Sequence, residues 1–328
     1  MKTTFFLFPV LVSSVLLHSI YAHVHVTIDD PSSALSSSMC GVATNSIEAI
    51  YPGSANRIVG GKTAQERSWP WIGAIVRKPS IWSAIYQQTC AGTLINAQWV
   101  LTAAHCVDPT AKFIRQNLIM LGATNLTAAF ANASAHIRPA NLYSIAKVIV
   151  HEQFDVPSGT SANDVALLKL AEPVPFFSET ISPACLPTAS IHDIPANSLL
   201  DGGRRVCFTA GWGLLAEGAP GVRDGVGSGS NTLLQVNVVS YSAEVCTSTL
   251  GIWFKPEYKT LCAGTDLGGK DACTGDSGGP LVCKAASGAF ELQGVVSMGF
   301  GCGEARFPGI YANVFALKSW ITDKITTN

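Results

Sequence analysis

Charge is scarce in this chain. Asp, Glu, Lys and Arg together make up 13% of its residues and nearly cancel, leaving a net charge of −1. No basic cluster breaks that neutrality, so nucleic acid is not an expected partner. Long apolar runs are also rare. The only extended one lies at the start, where Lys2 precedes an apolar stretch from Phe5 to Leu17 that closes on Ile20-Tyr21-Ala22. About 13 apolar residues are too few to span a bilayer. A basic tip, a short apolar segment and a small residue at the end predict a secretory signal peptide over 1–22. Without another such run, no membrane association is expected. The cysteines form no CxxC pair and no His stands at metal-finger spacing from one of them, which argues against zinc. Strict internal repeats are missing, and few stretches are long enough for an amphipathic helix. With 48% hydrophobic residues the composition is nevertheless that of a globular protein, long enough for about two domains.

An exported chain meets an oxidising compartment, so its 10 Cys are expected as disulfides. The sequons at Asn125 and Asn132 agree with export and mark both as glycosylation candidates. Residues 23–57 are rich in Ser and Ala, lack a clear period, and read as a poorly ordered leader. From Ile58 onward, short runs rich in Val, Ile and Leu alternate with Gly, Pro and Asn. WPWIGAIV at 69–76, AGTLI at 91–95, WVLTA at 99–103, DVALLKL at 164–170, TLLQVNVV at 232–239 and LQGVVSM at 292–298 are examples. Many short strands with turn signals point to all-β sandwich or barrel units. The C-terminal segment VFALKSWITDKI differs: Val314, Leu317, Trp320 and Ile321 fall on one helical face. Residues 213–231 are Gly-rich with few large apolar residues and read as a long mobile loop. Arg57-Ile58-Val59-Gly60-Gly61 looks like a second N-terminus set inside the chain.

Three stretches carry chemistry: LTAAHC at 101–106, NDVALLKL at 163–170 and DACTGDSGGP at 271–280. Singly, His105 reads as a packed histidine, Asp164 as a turn residue and Ser277 as a loop serine. Together they supply the parts of a nucleophilic catalyst. A serine hydroxyl is a weak nucleophile at neutral pH and needs an adjacent base. Histidine suits that role because its unperturbed pKa is about 6.5. A buried carboxylate holds the imidazole tautomer, and backbone N–H groups beside the serine bind the oxyanion.

On these motifs, with IVGG, AGWG at 210–213, VVSMG at 295–299 and PGIY at 308–311 in the same order, the chain from Ile58 to its end resembles trypsin-like serine proteases of the chymotrypsin fold. The resemblance implies an all-β fold of two antiparallel six-stranded β-barrels, about 58–172 and 205–313, with the active site between them and a C-terminal helix at about 314–326. It implies His105 as general base and acid, Asp164 as its orienting group and Ser277 as nucleophile, with Gly275 and Ser277 N–H groups as the oxyanion hole. Asp271 matches the floor of the primary pocket, Gly299 and Gly309 its walls, and Ser297 a cleft position beside Asp164. A carboxylate at the bottom of a narrow slot selects a long cation, so cleavage is expected after Arg or Lys. Ala272 offers Lys no hydroxyl, while Arg can still fork onto the carboxylate, so Arg is expected to be preferred.

The resemblance also answers the internal IVGG. Cleavage after Arg57, by an activating protease or by the enzyme itself, would free the Ile58 amine to pair with Asp276, making 23–57 an activation peptide and the uncut chain a zymogen. It pairs Cys90 with Cys106, Cys207 with Cys283, Cys246 with Cys262 and Cys273 with Cys302. Cys40 and Cys185 remain, and some relatives with long leaders bond these positions. Two departures stand out. Met298 replaces the usual Trp on the wall facing residues before the scissile bond. Residues 109–151 contain no Asp or Glu, so calcium is not expected in the loop after Leu121-Gly122. No metal or cofactor is expected at all. The expected partners are protein or peptide substrates and protein inhibitors. The alternative classes are a catalytically inactive protease-like binding protein, and an interaction protein whose leader is a docking domain. Intact His105, Asp164 and Ser277 argue against the first, and a leader with one Cys and little apolar surface argues against the second.

Overall fold

The structure, a computed structural model, describes residues 40–44, 60–78, 86–131, 133, 138–154, 161–193, 200–214 and 229–328. The segment 1–22 expected to be a signal peptide, most of 23–57, Arg57 and Ile58 at the expected cleavage point, the sequon residue Asn132 and the centre of the Gly-rich loop lie outside the described residues.

A two-residue strand, β1 (Lys62–Thr63), precedes a closed barrel of six strands: β2 (Ile72–Arg77), β3 (Gln87–Leu94), β4 (Trp99–Thr102), β5 (Asn117–Leu121), β6 (Leu142–Val150) and β7 (Ala166–Leu170). All its pairings are antiparallel, in the ring order β2-β3-β4-β7-β6-β5. After β8 (Leu200–Asp201) a second six-strand ring follows: β9 (Arg204–Gly211), β10 (Leu234–Ser240), β11 (Thr260–Gly264), β12 (Pro280–Lys284), β13 (Phe290–Met298) and β14 (Gly309–Asn313). Its order is β9-β10-β11-β14-β13-β12, with β1 and β8 added at its margins. In each ring, counted along the chain, the order is first, second, third, sixth, fifth, fourth. The two barrels therefore share one topology although the sequence shows no repeat. Closure removes the open strand edges that an all-β chain must otherwise protect.

Each barrel encloses its own apolar core. Ile75, Leu94, Val100, Ile119, Leu121 and Leu168 fill the first, and Leu234, Val236, Val238, Leu261, Leu281 and Tyr311 the second. A third cluster lies between them and joins Trp69, Trp71, Phe208, Trp212 and Phe290 to the C-terminal helix. Burying one such large side chain stabilises by roughly 1.5–3 kcal/mol. Trp99, Val100 and Leu101 of β4 form a continuous apolar run because Val100 meets the barrel interior while Trp99 and Leu101 meet this seam. Trp69 Nε1 donates to Gln235 Oε1 across it at 2.9 Å, satisfying a buried indole.

Among the described residues there are four α-helices: α1 (Ala111–Gln116), α2 (Leu126–Phe130), α3 (Ala243–Leu250) and α4 (Val314–Thr327). The first three were not legible as apolar stripes. They are short and begin at side-chain caps: Thr110, Asn125 and Ser242 each accept a backbone N–H three residues on. In α4 the buried face is Val314, Leu317, Ile321 and Ile325. Trp320 sits at its edge instead, against His151, with its Nε1–H donated to Glu152 at 2.7 Å. Among the described residues no helix is long and apolar enough to cross a membrane.

Five disulfides join Cys90–Cys106, Cys207–Cys283, Cys246–Cys262, Cys273–Cys302 and Cys40–Cys185. The last ties Cys40, ahead of the first strand, to Cys185 in the segment between the two barrels. Beside it Gly41 N–H donates to Pro183 O, and Gly41 O accepts from Phe290 N–H, both at 2.8 Å.

Candidate active site

The first barrel delivers two of the three residues. β4 ends at Thr102 and the chain turns through a single 3₁₀ turn, Ala104–Cys106, that carries His105. Asp164 stands just before β7. Its neighbour Asn163 adopts φ 52°, a left-handed conformation that Asn tolerates. Because β4 and β7 are paired, the two loops meet. Asp164 Oδ1 accepts the His105 backbone N–H at 2.9 Å, and Oδ2 lies 2.7 Å from His105 Nδ1. An ionised carboxylate only accepts, so Nδ1 carries the proton and Nε2 is left as a base.

The second barrel supplies a third donor. Ser297, near the end of β13, donates its hydroxyl to Asp164 Oδ2 at 2.5 Å. Asp164 is 1% exposed. Burial acts to raise its pKa and is the largest single effect; the hydrogen bonds and charge of His105 and the Ser297 hydroxyl together outweigh it, and the carboxyl is held below its ordinary value. It is ionised at neutral pH.

Ser277 lies in the turn between β11 and β12, where Gly275 takes φ 98°, a region open to glycine and little else. Ser277 O accepts from Ala91 N–H of β3 at 2.8 Å, which pins the turn to the first barrel. The Cys90–Cys106 bridge ties that same strand to the His105 turn. Among the described residues the Ser277 hydroxyl makes no hydrogen bond, and neither do the backbone N–H groups of Gly275 and Ser277. Two unpaired donors beside a serine hydroxyl are the arrangement that an oxyanion hole requires.

Next to Ser277 a cavity of about 220 Å³ is lined by Asp271, Ala272, Thr274, Ser297, Met298, Gly299, Gly309 and Tyr311, among others. Asp271 is 4% exposed at its base. Its Oδ2 accepts from Gly303 N–H at 3.2 Å, while Oδ1 has no partner, and neither does the nearby Tyr311 hydroxyl. Both lie within 3.4 Å of where a side chain on Gly309 would begin, at 2.9 and 3.4 Å, so the slot exists because residue 309 has none. Burial pushes the Asp271 carboxyl up to about 7 against the backbone hydrogen bonds, and the charge of Asp276 adds to the rise.

Asp276 is buried and pushed up to about 6 by desolvation, although Cys273 N–H and Gly213 N–H both donate to it, at 2.9 and 2.7 Å. A Cβ on Gly213 would lie 2.5 Å from its Oδ2. This close approach accounts for the glycines of AGWG.

Family comparison agrees with this arrangement. The sequence model of the Trypsin family matches residues 58–321. The chain belongs to the trypsin family. It is 34% identical over 294 residues to the "Serine proteinase stubble" of Drosophila melanogaster, an alignment covering 88% of this chain and 33% of that protein. The chain thus spans about a third of the length of this relative. In this trypsin-family chain Asp271, Ala272, Ser277, Ser297, Met298, Gly299 and Gly309 line one cavity, and Ser297 links it to Asp164 and through it to His105; Arg57, Ile58 and Asn132 lie outside the described residues. Met298 packs with Phe300 against Leu250, Phe254 and Ile310, beside the pocket mouth.

Some site residues had no sequence signal. Gln88, on β3, donates Nε2–H to Gly275 O at 2.7 Å and to Cys90 O at 3.0 Å; nothing in its neighbourhood marks it. Tyr311 was legible as part of PGIY but not as a pocket residue. Asn125 caps α2 and donates Nδ2–H to Thr232 Oγ1 at 3.2 Å, in the loop where calcium was not expected. One group among the described residues has metal-ligand proximity, Cys90, His105 and Cys106. Both sulfurs are spent in a disulfide, so no thiolate is left to ligate.

Proposed function

We propose that this chain is a secreted serine endopeptidase, made as a zymogen and activated by cleavage after Arg57, that hydrolyses peptide bonds after Arg in preference to Lys. The observation that carries the specificity is the buried Asp271 carboxylate with an unpartnered oxygen at the end of a slot opening beside Ser277. Left alone, that ion is costly; a substrate cation removes the cost. A guanidinium can donate to Oδ1 and to the Tyr311 hydroxyl together, a match its fork geometry suits better than an ammonium does. Ala272 adds no hydroxyl that would favour Lys.

Ser277 Oγ attacks the scissile carbonyl while His105 Nε2 takes its proton. The imidazolium formed is stabilised by Asp164, itself steadied by Ser297. The Gly275 and Ser277 N–H groups receive the negative charge that develops on the carbonyl oxygen, and His105 then protonates the leaving amine. Activation delivers the Ile58 ammonium to Asp276, whose buried carboxyl has no cationic partner among the described residues. In this reading residues 1–22 are removed on export, 23–57 form the activation peptide, and Asn125 and Asn132 carry glycans.

The test is labelling and turnover of the Arg57-cleaved protein. It should react with a fluorophosphonate and cleave Arg peptides faster than Lys and far faster than Phe. Ser277→Ala should lose labelling and keep only the roughly 10³–10⁴-fold acceleration over water that binding and oxyanion donors provide. Near-normal hydrolysis by that variant, or a Phe preference in the wild type, would overturn the proposal.

A further inference from the structure

We infer that Gln88 is a positioning residue for the oxyanion donors, a role that rests on the catalytic reading above and extends it. The turn from Thr274 to Ser277 contains three peptide planes, and each is held at one or both ends. Thr274 O accepts from Leu214 N–H at 2.8 Å, which sets the plane that ends in Gly275 N–H. The next plane is held twice: Gly275 O accepts from Gln88 Nε2 at 2.7 Å, and Asp276 N–H donates to Cys273 O at 2.9 Å. Asp276 O, on the third plane, accepts from Gly279 N–H at 2.9 Å, setting the plane that ends in Ser277 N–H.

Because a peptide is planar, fixing its carbonyl fixes the opposite N–H. The middle plane lies between the two donors and shares an α-carbon with each of their planes, so a change in its tilt shifts the torsions that aim both. Gly275 at φ 98° has the freedom to make that rotation, which other residues would lack. Gln88 is the only side chain among the described residues that holds this plane, and it reaches across from the first barrel. The carboxamide is itself oriented, since Nε2 also donates to Cys90 O at 3.0 Å, and Cys90 is fixed by its bridge to Cys106. The first barrel thereby contributes to the oxyanion hole as well as to the base: β3 grips Gly275 O through Gln88 and Ser277 O through Ala91 N–H.

The experiment compares activated wild type with Gln88→Leu, Gln88→Glu and Gln88→His. Leu removes the donor. Glu keeps the shape but puts a carboxylate against the Gly275 carbonyl. His restores an N–H, because imidazole Nε2 stands as many bonds from Cα as the Gln nitrogen. For Leu, kcat on an Arg peptide should fall roughly three- to tenfold with KM little changed, the range one neutral hydrogen bond commands. Glu should fall further, and His should recover most of the rate. Affinity for an arginine-mimicking boronate, which forms a tetrahedral adduct on Ser277, should fall in parallel with kcat. Affinity for an aryl amidine, which fills only the Asp271 pocket, should stay constant. Unchanged kcat and boronate affinity in Gln88→Leu would overturn the inference. So would an equal loss of boronate and amidine binding, which would mean general damage to the site. A wild type that neither labels with fluorophosphonate nor turns over would instead defeat the catalytic reading itself.

Discussion

Replacing Asp271 by Asn should make the empty protein more stable and its hold on a basic substrate far weaker. The carboxyl titrates at about 7 instead of its ordinary 3.8 because it is buried with one oxygen unpaired. At about 1.36 kcal/mol per pH unit, ionising it in the fold costs about 4 kcal/mol. The folded state holds this proton more tightly than the unfolded chain does. Stability is therefore full below about pH 4, declines as pH rises toward 7, and the loss is complete above that. Asn cannot ionise, and its carbonyl can still accept from Gly303 N–H. The variant should match the wild type near pH 4 and exceed it by up to a few kcal/mol at pH 8, measured by denaturant titration of the activated enzyme. Recognition moves the other way. A cation about 4 Å from the carboxylate gains on the order of 4 kcal/mol at an effective dielectric of 20. Its loss should lower kcat/KM for an Arg peptide by about 10³-fold. Binding of an aryl amidine to the wild type should also release a proton below pH 7, weakening about tenfold per pH unit, while the Asn variant binds weakly at every pH. Calorimetry at pH 5.5 and 8 reads this directly. Equal wild-type affinity at the two pH values, or no gain in stability at pH 8, would refute the reasoning.

Arg57→Gln should leave the chain uncut by trypsin-like activators and inactive, because the Ile58 amine is never freed; an active-site titration of the uncut variant that finds full activity would end that account. After cleavage, activity should decline at alkaline pH as the amine loses its proton, above its free value of about 7.7–8.0 once it is paired with Asp276. Cys40→Ser should release the leader from the cleaved enzyme on a non-reducing gel, whereas the wild type should release it only with reductant, as the Cys40–Cys185 bridge requires. Leader loss from unreduced wild type would show that Cys40 has another partner.

Local pattern was enough to find six of the fourteen strands. Six apolar runs read from the sequence all fall on or overlap strands, because a barrel strand with both faces buried needs a largely apolar segment, as in Trp99-Val100-Leu101 of β4. The short helices escaped notice because caps and local turns start them and they bury few residues, as in α1 with none. Trp320 was placed on the helix face by spacing alone; its indole N–H needs an acceptor, and Glu152 at the rim draws it to the edge. The five cysteine pairs followed from family resemblance and not from spacing, since ten cysteines permit many connectivities.

The sequence by itself singled out the residues proposed to carry chemistry. His105, Asp164, Ser277 and Asp271 sit in short motifs whose order matches the family's, and it is through that resemblance that their proposed roles are legible. Tertiary structure alone decided how those motifs act on one another. The hydrogen bond from Ser297 to Asp164 spans 133 positions and that from Gln88 to Gly275 spans 187. Such contacts arise only when two closed barrels meet along an apolar seam and bring distant turns to one cleft. The same meeting sets the electrostatics. Burial raises Asp271 and Asp276, while three donors keep Asp164 ionised. A carboxylate's pKa depends on what surrounds it in space, and no stretch of sequence around an Asp states that.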